Sequence, residues 1–233
     1  MYDILDDSKR GFTGEGGQLN IWDDTLSKYV LFIPLETLPS VVGSVNSVEH
    51  DVTTSSSIGK IIGKKSIDDK ELSFLWHRDN INRIEKYLGR QNDFLVSYRD
   101  GTGWKFTAEY TYAPADASAS EKVTGNITFV ASGVDATATL NVRDMMAKTC
   151  MITSAIDSEV VVKANTPHKI QLTANTSDAT ITATSDNTAI TATVSGKELT
   201  IQGTAAGTAL VTIKPTATGM GSWETTILVV VEE

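Results

Sequence analysis

The sequence predicts a mainly β protein with two domains. Short runs in which apolar and polar residues alternate recur along the chain, separated by Gly, Asn, Asp and Pro. Side chains of a strand point to opposite faces in turn, so this alternation is typical of half-buried strands. Composition changes near residue 150, because every phenylalanine lies before it and Thr, Ala and Val dominate after it. We therefore expect domains over residues 1–150 and 151–233, with the boundary in an exposed linker at about 145–153.

The first domain is expected to be a β-sandwich or barrel. Its clearest strand is Trp104–Tyr112, in which aromatic and small residues alternate with charged residues and threonines. The connection Asp100–Gly103 predicts a tight hairpin to the strand before it. The strand candidates are Tyr29–Leu35, Ser44–Thr53, Lys70–Trp76, Phe94–Arg99, Trp104–Tyr112, Val123–Ala131 and Ala136–Arg143.

One helix and two irregular segments interrupt these strands. Apolar residues at helical spacing predict a helix over about 79–89, with Asp79 or Asn80 as its cap and Gly89 at its end. Gly11–Gln18 is rich in glycine, and residues 53–66 form a polar, basic stretch of Gly and Ser. Both are predicted to be loops, and loops longer than about 12–15 residues are usually functional or disordered.

The second domain contains six evenly spaced strand candidates with turn residues between them, which predicts a small β-sandwich. In the first of them, Ile170, Leu172 and Ala174 are expected to face the core while Gln171 and Thr173 face outward. The candidates are Lys169–Ala174, Ala179–Thr184, Ala189–Val194, Glu198–Gln202, Thr208–Lys214 and Glu224–Val231.

Charge and cysteine content narrow the function classes. A net charge of -9 argues against a surface that grips nucleic acid, which requires a basic stripe. The single cysteine, Cys150, cannot form an internal disulfide and is expected to be a small buried apolar residue. The first residues lack a secretory signal, and no stretch approaches the ~20 apolar residues of a membrane span. We therefore expect synthesis in the cytoplasm and no membrane insertion.

No motif predicts catalysis, a cofactor or a metal site, and the expectation is that the protein is not an enzyme. Gly59–Lys65 departs from a phosphate-binding loop because three residues, not four, separate its glycines and Lys65 follows Lys64. The histidines (His50, His77 and His168) lack the spacing of metal ligands. The serines at 55–57 have no nearby histidine motif that would activate a nucleophile.

Residues from about 152 to 231 resemble bacterial immunoglobulin-like domains of group 2. The matching segments are Lys169–Thr173, Thr184–Ile190 and Gly203–Ile213, together with Gly196–Leu199 and the last strand at Thr225–Val231. The resemblance implies a turn at the Ser-Asp-Asn segment and a strand that opens at Ala-Gly-Thr. One departure is the absence of the tryptophan-serine pair usual in that family, since Thr182 and Ala183 stand near its place.

The first domain resembles the major tail tube proteins of long, non-contractile phage tails. The resemblance lies in the order of its strands, the single helix, the long loop and the segment Lys122–Ser132 (KVTGNITFVAS). It implies a structural virion protein, made in the host cytoplasm, whose hexameric rings stack into a tube that conducts DNA without binding it specifically. Tape measure and terminator proteins of the tail would be further partners, and an external immunoglobulin-like domain would touch cell-surface glycans weakly.

The same resemblance implies that the irregular segments contact neighbouring subunits. The residues expected there are Gly14, Gly16, Gly17, Ser55, Ser56, Ser57, Gly59, Lys60, Gly63, Lys64 and Lys65. Two other functions stay open from the sequence. One is a surface adhesin or binding module in which the immunoglobulin-like domain is a spacer. The other is an enzyme with an accessory β-domain, although no catalytic constellation supports it.

Overall fold

The computed structural model describes residues 17–35, 44–50, 59–66, 70–98, 101–116, 122–131 and 137–233. The protein is mainly β, which confirms the predicted fold class. Its contacts divide it into two compact units, residues 1–146 (the first unit) and 147–233 (the second unit). The boundary derived from composition lies at residue 150.

The first unit contains nine strands and one α-helix in the part of it that the structure describes. The helix, α1, spans Arg78–Tyr87. The strands are β1 (Gln18–Asp23), β2 (Lys28–Ile33), β3 (Ser44–His50), β4 (Gly59–Ser66), β5 (Lys70–Leu75), β6 (Asn92–Ser97), β7 (Gly103–Pro114), β8 (Thr124–Ala131) and β9 (Thr137–Thr139).

Six of these strands form an antiparallel barrel. They are hydrogen-bonded in the order β2-β1-β6-β7-β8-β5, and β9 pairs with β7. An antiparallel bridge between Leu35, just after β2, and Phe74 in β5 joins the two end strands. The sheet therefore closes on itself, which removes exposed strand edges at that point.

Aromatic side chains fill the interior of this barrel. Phe94 lies at the centre, with its ring centroid 5.3 Å from that of Phe32 and 5.0 Å from that of Phe129. Phe106 stacks on Phe94 at 5.4 Å, and Tyr110 meets Phe32 edge-on at 5.4 Å. Such pairs each add roughly 0.5–1.5 kcal/mol beyond the burial of their area. The barrel core is thus built from one cluster of rings contributed by four strands.

The predicted hairpin and helix are present, with corrections at their ends. Ser97 pairs with Gly103 across the β6–β7 connection, where Gly101 has a φ of 91°. Gly89 ends the helix with a φ of 74°, as predicted. The predicted caps are wrong, because His77 is the N-cap residue and its side chain accepts from the Asp79 N–H. The predicted strand 136–143 stops at Thr139 and is followed by a 3-10 turn.

Strand β1 is the main element of the first unit that the sequence analysis missed. It lies between β2 and β6, and Leu19 and Ile21 are almost completely buried. Their i, i+2 spacing is a strand signal, but it spans only two apolar residues next to a glycine-rich segment. Asn20 is also buried, and its side-chain amide donates to the Leu95 carbonyl at 3.2 Å.

The second unit is a sandwich of two sheets. Their strand orders are β11-β18-β16-β13 and β12-β15-β14, and the short strands β10 and β17 pair separately. The strands are β10 (Thr149–Cys150), β11 (Glu159–Lys163), β12 (His168–Gln171), β13 (Thr180–Ser185), β14 (Ile190–Ser195), β15 (Glu198–Gly203), β16 (Gly207–Thr216), β17 (Gly221–Ser222) and β18 (Thr225–Glu232). Apart from β11, which pairs with the last long strand, this partition of strands is that of the immunoglobulin sandwich.

Both inner faces of the sandwich are apolar. Leu172 is buried while Gln171 and Thr173 are exposed, which confirms the predicted alternation. Strand β11, whose Val160 and Val162 face the core, is not among the predicted strands. The buried core residues are Ile152, Val160, Val162, Leu172, Ile181, Ile190, Leu199, Ile201, Ala209, Val211, Ile213, Ile227, Val229 and Val231.

The division between the units falls within residues 145–153, but this stretch is not the exposed linker that the sequence predicts. Met146 is buried in a small cluster with Tyr29 and Leu95 of the first unit, and it bridges to Tyr29. Cys150 is fully buried, as predicted for it, and lies in a strand paired with β17. Apolar residues in this stretch do not alternate regularly, because they are buried next to short β-bridges and do not form a polar, solvated connection.

Candidate assembly surface

The residues expected at subunit contacts fall into three groups. Gly14, Gly16 and Ser55–Ser57 lie outside the described residues. Gly17 is partly buried directly before β1. The remaining five, which are Gly59, Lys60, Gly63, Lys64 and Lys65, lie in strand β4.

The prediction of a loop over 53–66 is therefore wrong for residues 59–66. Strand β4 pairs with β3 in an antiparallel hairpin that forms its own two-stranded sheet. The two glycines of Gly59–Ser66 break the apolar alternation by which a strand is recognised in a sequence. Pairing with a partner strand, not the local pattern, decides the conformation of this stretch.

The register of this hairpin is given by the residues that face each other across the two strands. Glu49 stands opposite Lys60, Val48 opposite Ile61 and His50 opposite Gly59. The pairing shifts between Val45 and Ser47. The hairpin is therefore a two-stranded ribbon with one irregularity in its register, and three lysines of the sequence lie in one of its strands.

The hairpin lies in the chain between two strands that are neighbours in the barrel. Strand β2 precedes the hairpin and β5 follows it, and the bridge between Leu35 and Phe74 makes these two strands neighbours. Both bridging side chains are buried. The inserted segment therefore starts and ends at the same place in the barrel, which we call the seam.

Helix α1 covers the rest of this seam. The Arg83 guanidinium donates through Nε to the carbonyls of Leu31 and Phe32, at 3.0 and 2.9 Å. On the other side, the Asn80 amide donates to the Leu75 carbonyl of β5 at 2.9 Å. A buried carbonyl without a hydrogen-bond donor is destabilising. Side chains of α1 therefore supply donors to carbonyls at the seam, where strand pairing is interrupted.

Two tyrosines of β7 attach the helix from across the barrel. The Tyr110 hydroxyl donates to the Ile84 carbonyl at 2.7 Å, and burial raises the pKa of Tyr110 above its ordinary value. The Tyr112 hydroxyl donates to the Glu85 carboxylate, which raises the pKa of Tyr112 to about 12. Both phenols therefore stay protonated at neutral pH, where they act as hydrogen-bond donors.

The histidines and the cysteine whose side chains the structure describes are separate from one another and have structural surroundings. Residues 17–35, 70–98, 101–116, 122–130 and 137–233 contain no group of three or more side chains placed to hold a metal ion. His77 accepts a hydrogen bond as a helix cap, and His168 is exposed on β12. Burial raises the pKa of the Cys150 thiol, which disfavours the reactive thiolate.

Comparison with protein-family models and with curated proteins gives no match for this chain. Among the described residues, α1 is too short and too polar to cross a membrane, and no other helix of spanning length occurs.

Proposed function

We propose that the chain is a structural subunit that assembles into hexameric rings, which stack as the tail tube of a long, non-contractile phage tail. The observation that carries this proposal is the β3–β4 hairpin, a separate two-stranded sheet inserted at the barrel seam. The sequence resemblance of the first unit to tail tube proteins supports the same function.

A two-stranded hairpin is marginally stable in water by itself, and three or more strands or a packed face are needed for independent stability. Within the part of the chain that the structure describes, neither outer edge of the ribbon pairs with a further strand, and such edges readily pair with another chain. A neighbouring copy that covers the hairpin would supply a packed face and would pair with the backbone groups of its edges. The same contact repeated around a symmetry axis would close a ring of identical copies.

The acidic balance of the chain suits a conduit for DNA. A negative channel wall repels phosphates, so DNA moves through without being held. Other tail proteins, such as the tape measure and the terminator, would bind the tube at its lumen and its end. The second unit would be displayed outside as a group 2 immunoglobulin-like domain, where repeated weak contacts with cell-surface glycans add up.

Electron microscopy of the purified full chain tests this function. We expect rings or tubes in negative stain, together with a mass that rises with concentration. A variant in which a short Gly-Ser linker replaces residues 44–66 should keep the barrel, because β2 and β5 stay bridged at Leu35 and Phe74. It should lose the rings. A monomer at every concentration, or rings that persist without the hairpin, would refute the proposal.

A point variant with a matched control sharpens the test. Lys60→Glu places a second carboxylate opposite Glu49 in the register, and like charges directly opposite destabilise a strand pair. It should raise the concentration needed for ring assembly. Lys197→Glu makes the same change of charge at an exposed position of the second unit and should leave assembly unchanged.

A further inference from the structure

We propose that the outer edge of strand β11 pairs with the β11 edge of a second copy of this chain, antiparallel and about a two-fold axis through Val161. Strand β11 ends the order β11-β18-β16-β13, so only one of its edges is occupied within the sheet. An open edge is a template for another strand.

The hydrogen-bond phase of β11 shows which residues face this edge. The Leu228 N–H donates to the Ser158 carbonyl at 2.9 Å, and the Ala164 N–H donates to the Glu232 carbonyl at 2.7 Å. Bonding alternates along a parallel pair, so Val160 and Val162 between them also bond to β18. Glu159, Val161 and Lys163 therefore direct their backbone groups away from β18.

On the outer face of the sheet, apolar side chains of neighbouring strands extend as far as Val161 at the β11 edge. Val160 and Val162 are buried in the core, whereas Val161 is 51% exposed on the outer face. Val161 is the register partner of Val230, and Leu228 of the same strand is the partner of Leu210, which is 38% exposed. Natural edges are commonly blocked by proline, a bulge, an inward charge or a charged side chain such as lysine. Strand β11, with the sequence Glu-Val-Val-Val-Lys, has none of the first three, and its two charges are of opposite sign and flank the valines.

The charges of β11 complement those of a second copy. In an antiparallel pair centred on Val161, Glu159 lies opposite Lys163 of the second copy, and the same contact repeats across the two-fold axis. Among the described residues, neither side chain takes part in an ion pair within its own chain. A register shifted by two residues would place Val161 opposite Glu159 and lose these charge pairs.

The same register satisfies the outward backbone groups. Facing residues of a hydrogen-bonded antiparallel pair exchange both N–H to C=O bonds, so the two Val161 residues would share two bonds. Each Lys163 N–H would donate to the Glu159 carbonyl of the other copy. The Lys163 carbonyl is left out of this set because it already accepts from the Thr166 N–H at 3.1 Å.

The pairing is isologous and closes at two copies. It uses the second unit alone, so it does not depend on the ring contacts proposed for the first unit. One short edge buries less than the roughly 1,200 Å² of a stable interface, so we expect a weak contact that matters where copies are already concentrated.

Covalent trapping in the full chain tests this contact. Facing residues of a hydrogen-bonded pair have Cα atoms about 5.5 Å apart, within the range of a disulfide. Val161→Cys should form a covalent dimer on mild oxidation, at least about tenfold faster than a random collision allows, because pairing raises the effective concentration. The control, Thr193→Cys, places an exposed cysteine on the edge strand β14 of the other sheet. The parent chain, with only the buried Cys150, should give no dimer.

Two further measurements fix the register. Glu159→Cys and Lys163→Cys should each dimerise slowly alone and quickly when mixed, because only the mixture places the two cysteines opposite each other. Glu159→Lys should weaken association about tenfold, since two cross-strand pairs become repulsive, and adding Lys163→Glu should restore it.

Three results would overturn the proposal. The first is trapping of Val161→Cys no faster than that of Thr193→Cys. The second is equal trapping of the single variants and their mixture. The third is a monomer in which the Val161→Cys thiol resists alkylation, because the edge would then be covered by its own chain. The excess of Val161→Cys trapping over Thr193→Cys trapping should persist in the variant that lacks residues 44–66, although both rates should fall there because the copies are less concentrated. Failure of ring assembly therefore leaves this test intact.

Discussion

Arg83 is a charged side chain in a place usually reserved for apolar ones. It is 8% exposed and donates to the carbonyls of Leu31 and Phe32 at the barrel seam. The Cζ atom of its guanidinium lies 6.0 Å from the centroid of the Tyr87 ring. Hydrogen bonds from a charged donor are stronger than neutral ones, and the planar fork of arginine reaches two acceptors at once. The Arg83 side chain thus donates hydrogen bonds to carbonyls at the seam, as the backbone of a neighbouring strand would do.

Arg83→Met should destabilise the first unit. Each buried acceptor left without a donor costs about 1–3 kcal/mol, so the loss of both carbonyl contacts should lower the free energy of unfolding by roughly 2 kcal/mol or more. Urea denaturation followed by tryptophan fluorescence measures it. Lys28→Met removes the same charge from an exposed position of β2 and should change stability by less than about 0.5 kcal/mol. Equal effects of both substitutions would show that Arg83 has no special role.

At the scale of elements, turns closed by their own side chains can be predicted from local sequence, whereas strands with long-range partners cannot. The Ser-Asp-Asn turn between β13 and β14 is closed by its own side chains, and Asn187 also donates to the Thr208 carbonyl at 3.0 Å. The sequence analysis therefore placed this turn, and the opening of β16 at Gly207, correctly. Strands β1, β4 and β11 have weak local patterns and depend on partners far along the chain.

Asn187→Ala should lower the stability of the second unit by about 1–2 kcal/mol, because it removes a bond to the Ala189 N–H and the bond to Thr208. The measurement is the shift of the unfolding midpoint in urea. Thr188→Ala, at the exposed next position of the same turn, is the control and should have little effect. If the two substitutions shift the midpoint alike, the turn is held by its backbone alone.

At the scale of the whole molecule, each unit contains its own core and its own glycine at a crowded point. A Cβ on Gly125 of the barrel would lie 2.5 Å from Trp76 and 2.8 Å from Phe74. A Cβ on Gly203 of the sandwich would lie 2.5 Å from Val231. Overpacking of this kind typically lowers the free energy of unfolding by about 1–3 kcal/mol. Because the two cores are separate, each substitution should destabilise only its own unit.

Gly125→Ala and Gly203→Ala should therefore lower two different thermal transitions. Differential scanning calorimetry of the full chain should resolve one transition that responds to Gly125→Ala and another that responds to Gly203→Ala. The substitutions serve as controls for each other. A single transition lowered by both would show that the chain unfolds as one cooperative body.

The sequence by itself determined the mainly β class, most strand positions, the β6–β7 hairpin and the end of the helix at Gly89. These features follow from alternation over a few residues and from glycines at positive φ, and so from local physics. Only the tertiary structure decided that β4 is a strand, that Leu35 and Phe74 close the barrel, and that Arg83 covers its seam. Those features arise when residues distant in sequence satisfy each other's backbone hydrogen bonds, which no short window of sequence contains.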